Sequence, residues 1–334
     1  MIKIGGFIPQ GWIGDLSRTD NPGEQYRQAR AVAKLYEELG YDSGFLYDHF
    51  HPIDVKEPEK QPVWERWATL SALAEGTEKL RLGQLVTCNM YRQPSLLAKI
   101  ASTVDALSNG RLEFGIGAGW YEAEFRGYGY TFPSAAARIR MLEEAVTLIK
   151  RLWAEDNVTF DGRYYHLKNA FCAPKPVQKP YPPILIGGAG EKLTLGVVAK
   201  HADRCELGMG VEQYRRKLDV LRAHCQRVGR RFDEIERCVS VNVIIEQEEK
   251  EVQETLNCLY EFYREPGQSK EGFLKGLYWV IAGTPSSVLE QLLPYRQLEV
   301  TFFIVNFMLH FYAKRRDEPI RAFAKEVASE LRGS

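Results

Sequence analysis

Short runs of apolar, often β-branched residues alternate with longer amphipathic stretches along the chain. The first run, IKIGGFI at residues 2–8, is apolar on both faces, which is typical of a buried parallel strand. Residues 23–40 then repeat their apolar positions at helical spacing and end at Gly40, a favourable helix terminator. Similar short runs predict further strands at residues 43–48, 80–88, 111–119, 183–188, 203–208, 237–245 and 300–307.

Helical patterns follow these strands in turn. Pro94 and Pro285 stand where a helix tolerates proline, in its first turn, and Thr284 is a favourable N-cap. The later helices are predicted at residues 64–77, 94–108, 135–155, 191–202, 211–229, 249–265, 284–298 and 313–333. This alternation over 334 residues predicts an α/β fold of the (β/α)8 TIM-barrel type, with a doubly wound open sheet as the second possibility.

Two insertions interrupt the alternation. Residues 157–182 predict a small hairpin that turns at Asp161-Gly162 and returns through a proline-rich stretch. Residues 266–283 form the second insertion. Because no linker, repeat or low-complexity segment divides the sequence, we predict a single barrel domain over residues 1–334.

Composition and charge narrow the possible partners. Lys and Arg number 44, as do Asp and Glu, so the formal net charge is zero and neither nucleic acid nor an anionic membrane is expected as a partner. The cysteines include no Cys-x-x-Cys pair, which is typical of reduced thiols. The sequence has no signal-peptide pattern and no apolar run that could span a bilayer. We therefore expect a cytoplasmic protein that acts on a small molecule.

The loop after the second predicted strand contains DHFHPI, residues 48–53, and three interpretations fit it. In the first, Asp48 caps a turn beside a half-buried His49. In the second, His49 and His51 ligate a metal, which requires further ligands from other strand ends. In the third, His49 exchanges a proton beside the carboxylate of Asp48, because imidazole titrates near neutral pH.

The other histidines do not favour the metal interpretation. His166 lies in the predicted hairpin, His201 and His224 lie in predicted helices, and His310 follows the last strand, which ends without an Asp. We therefore predict no bound metal.

The stretch ILIGGAGEK is the clearest candidate for an anion site. A strand leads through Gly187, Gly188, Ala189 and Gly190 directly into a helix. Glycines allow backbone amides to approach a ligand, and a helix N-terminus carries partial positive charge. A tight turn that binds nothing is the alternative.

The end of the third predicted strand, LVTCNMYRQP, also has two interpretations. Thr87 and Asn89 cap the helix that starts near Pro94, or they border a flat face beside a planar cofactor. The glycines of the fourth strand, in GIGAG, do not form a dinucleotide fingerprint, because no clean βαβ unit follows them.

Taken together, these stretches resemble the bacterial luciferase-like monooxygenase superfamily. The similarity is carried, in chain order, by LGYDSGFLYDHF, RLGQLVTCNMYRQPSLLAKIASTVDALSNGRLEFGIGAGWYEAEFRGYG, VTFDGRYYHL, PPILIGGAGEKLTLGVVAKHAD and GTPSSVLEQL. Within the superfamily, the sequence is most similar to the oxidoreductases that depend on the deazaflavin coenzyme F420. The resemblance implies a (β/α)8 barrel with insertions, coenzyme F420 or alternatively FMN across its mouth, and a homodimer.

The resemblance also assigns roles to individual residues. The cofactor ring would lie against a bulge with a non-proline cis peptide, which family members have at the end of the third strand, here Leu85–Val86. In the Asp-His pattern of the deazaflavin enzymes, Asp48 contacts the cofactor and His49 is the acid or base, with Asp48 setting its orientation. The residues expected to bind the cofactor are Asp48, Leu85, Val86, Thr87, Asn89, Gly117, Gly119, Gly187, Gly188, Ala189, Gly190 and Glu191.

Two positions depart from the sugar-phosphate dehydrogenases of this branch. Those enzymes have a Trp after the DHF stretch and a catalytic Glu after the glycines of the fourth strand, where this chain has Ile53 and Trp120. A sugar-phosphate substrate is therefore not expected. Trp12, Trp120 and Tyr121 suggest an aromatic-walled pocket for an apolar or planar substrate, although core packing accounts for them equally well.

We therefore predict a coenzyme F420-dependent oxidoreductase that transfers a hydride between C5 of the deazaflavin and a small organic substrate. The alternative is a luciferase-like monooxygenase that uses reduced FMN and oxygen and needs a separate flavin reductase. A flavin-binding protein without turnover and a metal-dependent hydrolase are further alternatives.

Overall fold

Parallel strands close into a barrel in the computed structural model, which describes residues 1–13, 15–16, 21–53, 59, 61–277, 280–309, 311 and 317–333. The strands in chain order are β1 (Lys3–Phe7), β2 (Ser43–Leu46), β3 (Arg81–Gln84), β4 (Thr87–Cys88), β5 (Leu112–Gly117), β6 (Val158–Asp161), β7 (His166–Ala170), β8 (Ile184–Gly187), β9 (Arg204–Glu206), β10 (Glu236–Ile245), β11 (Val280–Gly283) and β12 (Phe302–Asn306). The barrel order is β1-β2-β3-β5-β8-β9-β10-β12, and β12 pairs with β1 to close the ring. The (β/α)8 prediction is confirmed.

Helices alternate with the barrel strands and cover them. They are α1 (Pro22–Glu38), α2 (Arg66–Glu75), α3 (Pro94–Leu107), α4 (Glu122–Gly127), α5 (Ala135–Ala154), α6 (Thr194–His201), α7 (Val211–Val228), α8 (Glu249–Tyr263), α9 (Lys270–Lys275), α10 (Pro285–Gln297), α11 (Glu318–Ala322) and α12 (Ser329–Gly333), with a π-helical segment, Phe323–Ala328, joining the last two. Residues 313–316 of the last predicted helix lie outside the described residues. Among the described helices, none combines the length and apolar character that a bilayer crossing requires.

Burial explains why the barrel strands are apolar on both faces. Every residue of β2 and of β8 is buried, because helices cover the outside of the barrel and side chains from neighbouring strands fill its inside. The inner cluster includes Phe7, Phe45, Leu185, Phe302 and Ile304. Continuous apolar runs therefore predicted these strands well.

Several short elements are absent from the sequence prediction. Helix α4 lies in the loop after β5, and α9 and β11 lie in the second predicted insertion. Each has six residues or fewer, which is too short to show a hydrophobic period. The third predicted strand is divided into β3 and β4 by Leu85 and Val86. The predicted hairpin is present as β6 and β7, with Asp161 opposite His166.

Charged residues meet at the amino-terminal end of the barrel, where they form one ion-pair network. Lys3 Nζ lies 2.8 Å from Glu236 Oε1, and Arg204 Nε lies 2.7 Å from Glu236 Oε2. Arg204 and Arg81 both pair with Glu113, which is 4% exposed. Each charge in this network therefore has an opposite charge in contact.

Candidate active site

A cavity of about 520 Å³ opens at the carboxyl ends of the barrel strands. The last residues of several strands line it, namely Phe7, Gly117, Gly187, Glu206 and Asn306. In a parallel barrel, all strands end on the same rim, so residues far apart in sequence converge there.

The wall formed by β3, β5 and β8 is built around a bulge. The peptide bond between Leu85 and Val86 is cis, as predicted, and both residues line the cavity with Thr87. A Cβ on Gly117 would lie 2.7 Å from Val86 Cγ2, and one on Gly187 would lie 2.9 Å from Val86 Cγ1. Glycine at both strand ends therefore leaves the space that the Val86 side chain occupies against this wall.

The glycine turn after β8 reaches the cavity only with its first half. Gly187 and Gly188 line the cavity, together with Thr194 at the start of α6. Gly188 has a φ of +125°, a conformation that favours glycine. Ala189 and Gly190, both predicted to bind the cofactor, are not among the lining residues.

Glu191, also predicted to bind the cofactor, points away from the cavity. Its carboxylate pairs with Lys217 Nζ at 2.8 Å and with Arg216 Nη2 at 3.0 Å, both on α7. These ion pairs lower the pKa of Glu191. The side chain therefore ties the turn to α7, which the sequence alone did not indicate.

Asn89, also predicted to bind the cofactor, is likewise not among the residues that line the cavity. Its side chain is fully buried, and Nδ2 donates to the hydroxyl of Tyr165 at 3.1 Å. It therefore fastens the residues after β4 to the β6–β7 hairpin. Gly119 does line the cavity, with a φ of +77°, and its carbonyl accepts from Arg138 Nε at 3.1 Å.

Asp48 lines the cavity but does not contact His49. Its Oδ2 accepts from the backbone amide of Cys88 and from Arg92 Nη1, both at 2.8 Å, and its Oδ1 accepts from Arg92 Nη2 at 3.1 Å. The carboxylate therefore bonds to Arg92 and to the Cys88 amide, and not to the imidazole of His49. The predicted Asp48–His49 couple is therefore wrong.

Glu124 on α4 takes that place. Its Oε2 lies 2.8 Å from Nδ1 of His49 and accepts from the Tyr91 hydroxyl at 2.7 Å. Its Oε1 accepts from the backbone amides of Phe50 and His51, at 2.7 and 2.8 Å. One buried carboxylate therefore holds both the imidazole and the loop that carries it.

The charge of Glu124 fixes which imidazole nitrogen is available. Burial by itself would raise the pKa of this carboxyl, but the hydrogen bonds from His49, His51 and Tyr91 lower the pKa below its ordinary value. An ionised carboxylate accepts a proton-bearing Nδ1, so Nε2 of His49 is the nitrogen left to exchange a proton.

Arg66 holds the same loop through two of its backbone carbonyls. Its guanidinium donates to the carbonyl oxygens of Tyr47 and His49, the latter at 2.6 Å. Burial lowers the pKa of Arg66 to about 10, and Asp48 and Glu124 are among the acids that oppose this shift. The cation is held under the loop by its own partners, so the loop geometry does not depend on a ligand.

Aromatic rings surround His49. The Trp12 ring stacks on the imidazole, with centroids 4.4 Å apart and planes 4° apart. Trp120 and Tyr121 approach it edge-on, with centroids at 5.8 and 6.1 Å. Trp120 is 58% exposed and lines the cavity, so core packing does not account for it.

His51 faces away from the cavity. A Cβ on Gly127 would lie 2.7 Å from its Cε1, and its ring lies 5.4 Å from that of Tyr128. Among the described residues, no cluster of three or more His, Cys, Asp or Glu side chains could hold a metal ion. His310 lies outside the described residues.

The opposite wall carries polar residues that the sequence did not single out. Glu206, at the end of β9, accepts from the Ser240 hydroxyl at 2.6 Å. Asn306 Nδ2 donates to Asn242 Oδ1 at 2.8 Å, and all four residues line the cavity. Ser240, Asn242 and Asn306 are polar residues within or at the end of largely apolar strands, which is the signal that could have found them.

Sequence comparison places these features in a family. The model of the luciferase-like monooxygenase family matches residues 3–301. A protein named F420-dependent glucose-6-phosphate dehydrogenase from Amycolatopsis mediterranei is 27% identical over 319 residues, covering 89% of this chain and 92% of that protein. A protein of the same name from Kineococcus radiotolerans is 33% identical over 223 residues, covering 64% of this chain and only 62% of that protein.

Solved structures share the fold at low identity. A monooxygenase from Streptomyces bottropensis superposes with a TM-score of 0.80 at 21% identity, covering 99% of this chain and 100% of that one. An F420-dependent secondary alcohol dehydrogenase bound to an F420–acetone adduct gives 0.78 at 20% identity, covering 98% of each chain. At these identities, the likeness supports the barrel and not the substrate.

Proposed function

This chain belongs to the luciferase-like monooxygenase family and is an oxidoreductase or monooxygenase, and we propose that it uses coenzyme F420 to transfer a hydride to or from a small organic substrate. The observation that carries the proposal is the Glu124–His49 pair, which presents a proton-exchanging nitrogen at the rim of the cavity. A residue for proton exchange beside a redox cofactor is what alcohol–carbonyl interconversion requires.

The cavity residues fit such a cofactor. A volume of about 520 Å³ lies within the range of small-molecule and cofactor sites, about 300–1,000 Å³. Leu85 and Val86 offer an apolar surface for a planar ring, and the amides near Gly188 and the start of α6 offer a site for phosphate. When bound, the deazaflavin would supply the carbon that accepts or donates the hydride.

His49 would move the proton. In the oxidation of an alcohol, Nε2 would take the proton from the hydroxyl oxygen, while the carbon that bears this oxygen gives its hydride to the cofactor. In the reverse direction, Nε2 would return the proton to the carbonyl oxygen. Glu124 keeps the imidazole oriented through its hydrogen bond to Nδ1. Asp48 holds Arg92 and the Cys88 amide, so we assign it to the architecture of the cofactor wall.

A luciferase-like monooxygenase that uses reduced FMN and oxygen is the second candidate. The family model supports it, because the model that matches residues 3–301 is that of luciferase-like monooxygenases. That candidate requires a flavin reductase as a partner and predicts oxygen uptake that depends on the substrate.

Titration of the purified protein separates the two. We expect F420 to quench protein fluorescence, with a Kd at least about tenfold lower than that of FMN. A preference for FMN, with substrate-dependent oxygen uptake, would replace the first candidate by the second.

The same preparations, run on a sizing column with light scattering, test the expected homodimer.

The role of His49 is tested by replacing it with Ala. With F420 and a panel of small alcohols and ketones, we expect His49→Ala to lower turnover by about 10² to 10⁴-fold and to leave the F420 Kd within about threefold. His166→Ala is the matched control, because His166 is exposed in the hairpin and, among the described residues, its one ion pair is with Asp161, at 2.8 Å. Full activity in His49→Ala would refute the assignment.

A further inference from the structure

We propose that Glu206 and Ser240 form a second recognition site in the same cavity, which binds an uncharged group through its hydrogen-bond acceptor, such as a carbonyl oxygen. The inference rests on the proposed function, because cofactor and substrate share this cavity. The carbonyl edge of the cofactor ring and the carbonyl or hydroxyl group of a substrate are the two possible sources of that acceptor.

Topology places Glu206 across the barrel from His49. Strands β3, β5 and β8 separate β2 from β9 on one side, and β10, β12 and β1 separate them on the other. His49 follows β2, and Glu206 is the last residue of β9. Both line the cavity, so a molecule that spans it contacts the proton-exchanging residue at one end and Glu206 at the other.

The surroundings of Glu206 favour its uncharged form. The side chain is 9% exposed, and no described Lys, Arg or His forms an ion pair with it. The hydrogen bonds that it accepts from the Ser240 hydroxyl and amide favour the charged form, but burial outweighs them. Burial without a compensating cation raises the pKa of this carboxyl. A protonated carboxyl carries an O–H, which is a hydrogen-bond donor that an acidic residue otherwise lacks.

The carboxyl of Glu206 lies next to the apolar surface formed by Val86. Glu206 Oε2 lies 3.4 Å from the place of a Cβ on Gly187, and that place lies 2.9 Å from Val86 Cγ1. The carboxyl therefore borders the apolar surface that Val86 provides. A flat molecule on that surface would have its edge within reach of Glu206.

Charge complementarity limits the class of group that fits. A phosphate or carboxylate next to Glu206 would meet an acid with no neighbouring cation, so it would be repelled or would find no counter-charge. Asn242 and Asn306 continue this wall with amide groups, which also suit neutral partners. The wall is therefore selective for an uncharged polar group.

The other titratable groups near Glu206 stay neutral at ordinary pH. Tyr47, Cys205, Tyr214 and Cys238 are all buried, and burial raises the pKa of each. These neighbours therefore add no charge beside Glu206 at ordinary pH. Binding that needs its proton weakens as the pH rises through its pKa.

The test compares Glu206→Ala and Glu206→Gln, with Glu212→Gln on the exposed surface of α7 as the control for loss of a negative charge. Glutamine keeps a donor and cannot ionise. We expect Glu206→Ala to weaken binding about tenfold, and Glu206→Gln to bind within about threefold of wild type. We also expect Glu206→Gln to lose the weakening at high pH that the wild type shows.

The two readouts identify the source of the acceptor. A higher cofactor Kd, measured by fluorescence without substrate, assigns it to the cofactor ring, and a higher KM at an unchanged cofactor Kd assigns it to the substrate. The inference is overturned if Kd and KM both stay at wild-type values in Glu206→Ala, or if Glu206→Gln is as damaged as Glu206→Ala. The variants are measured with whichever of F420 or FMN the wild type binds, so failure of F420 binding contradicts the proposed function alone.

Discussion

The two ends of the barrel use charge in opposite ways. At the amino-terminal end, each acidic or basic residue of the network that includes Arg204 and Glu113 contacts a partner of opposite sign. At the carboxyl end, the side chain of His49 is hydrogen-bonded to Glu124 and that of Glu206 to Ser240, and both side chains also border a cavity. The first arrangement is complete without a ligand, and the second has hydrogen-bonding capacity left for one.

Unpaired polar atoms are found outside the amino-terminal network. Trp12 Nε1, on a residue that lines the cavity, is a buried side-chain atom without a hydrogen-bond partner among the described residues, and so are Gln10 Nε2, Arg66 Nη1, Gln84 Nε2 and Asn89 Oδ1, on residues that do not line it. Leaving such an atom unpaired costs about 1–3 kcal/mol. The ion-pair network at the other end contributes none of them. The network therefore carries no such cost among the described residues.

Breaking the amino-terminal network should give the largest effect on stability. Arg204→Met leaves Glu113 buried with only Arg81 and removes one partner of Glu236. We expect the free energy of unfolding to fall by about 1.5–3 kcal/mol in urea denaturation, because Glu113 and Glu236 each lose one charged hydrogen-bond partner and keep another. Cofactor Kd of the folded protein should not change.

An exposed ion pair provides the control for that variant. Arg126→Met breaks the pair with Glu122 on the surface of α4 and should lower stability by less than about 1 kcal/mol. Equal effects of the two variants would contradict the view that the amino-terminal network is a stability element.

Replacing the carboxylate at the other end should act on activity first. Glu124→Gln keeps the size of the side chain and loses its charge, so Nδ1 of His49 loses an anionic acceptor and we expect turnover to fall about tenfold to hundredfold, with the cofactor Kd within about threefold. Glu122→Gln, exposed on the same helix and paired with Arg126, is the matched control. Wild-type turnover in Glu124→Gln, or an equal loss of turnover and of cofactor binding, would argue that Glu124 has a structural role only.

The same variant has a defined signature in stability. The pKa of Glu124 is lowered in the folded protein, so its contribution is present above the unfolded carboxyl pKa and is lost as the pH falls through the folded value. Wild type should therefore lose stability on acidification more steeply than Glu124→Gln. Thermal melting between neutral and acidic pH measures that difference in slope.

The contrast between the two ends also shows what sequence could predict. Alternating apolar runs predicted the barrel strands, because burial on both faces requires such runs, and the family resemblance located the bulge at Leu85–Val86. The sequence did not predict the direction in which each side chain points. Asp48 and His49 are neighbours in sequence, yet they bond to Arg92 and Glu124 respectively, because consecutive loop residues point to different sides.

Glu124 illustrates the reason for that limit. It lies two residues from Glu122 in a short acidic stretch, and no periodicity over six residues distinguishes the buried acid from the exposed one. Only the packing of α4 against the DHFHPI loop separates them. Glu206 was missed for a related reason, since a three-residue strand gives little pattern against which a polar residue stands out.

The smallest changes in cofactor Kd are expected within the glycine turn after β8. Gly188 has a φ of +125° and lines the cavity, whereas the Glu191 side chain is bound to Lys217 and Arg216. Because Ala is strained at that φ, we expect Gly188→Ala to displace the turn and raise the cofactor Kd about tenfold. We expect Glu191→Gln to change the Kd by less than about twofold, because the carboxylate has no role in the cavity. Fluorescence titration of both variants measures the difference, and a tenfold loss in Glu191→Gln would return that residue to the cofactor site.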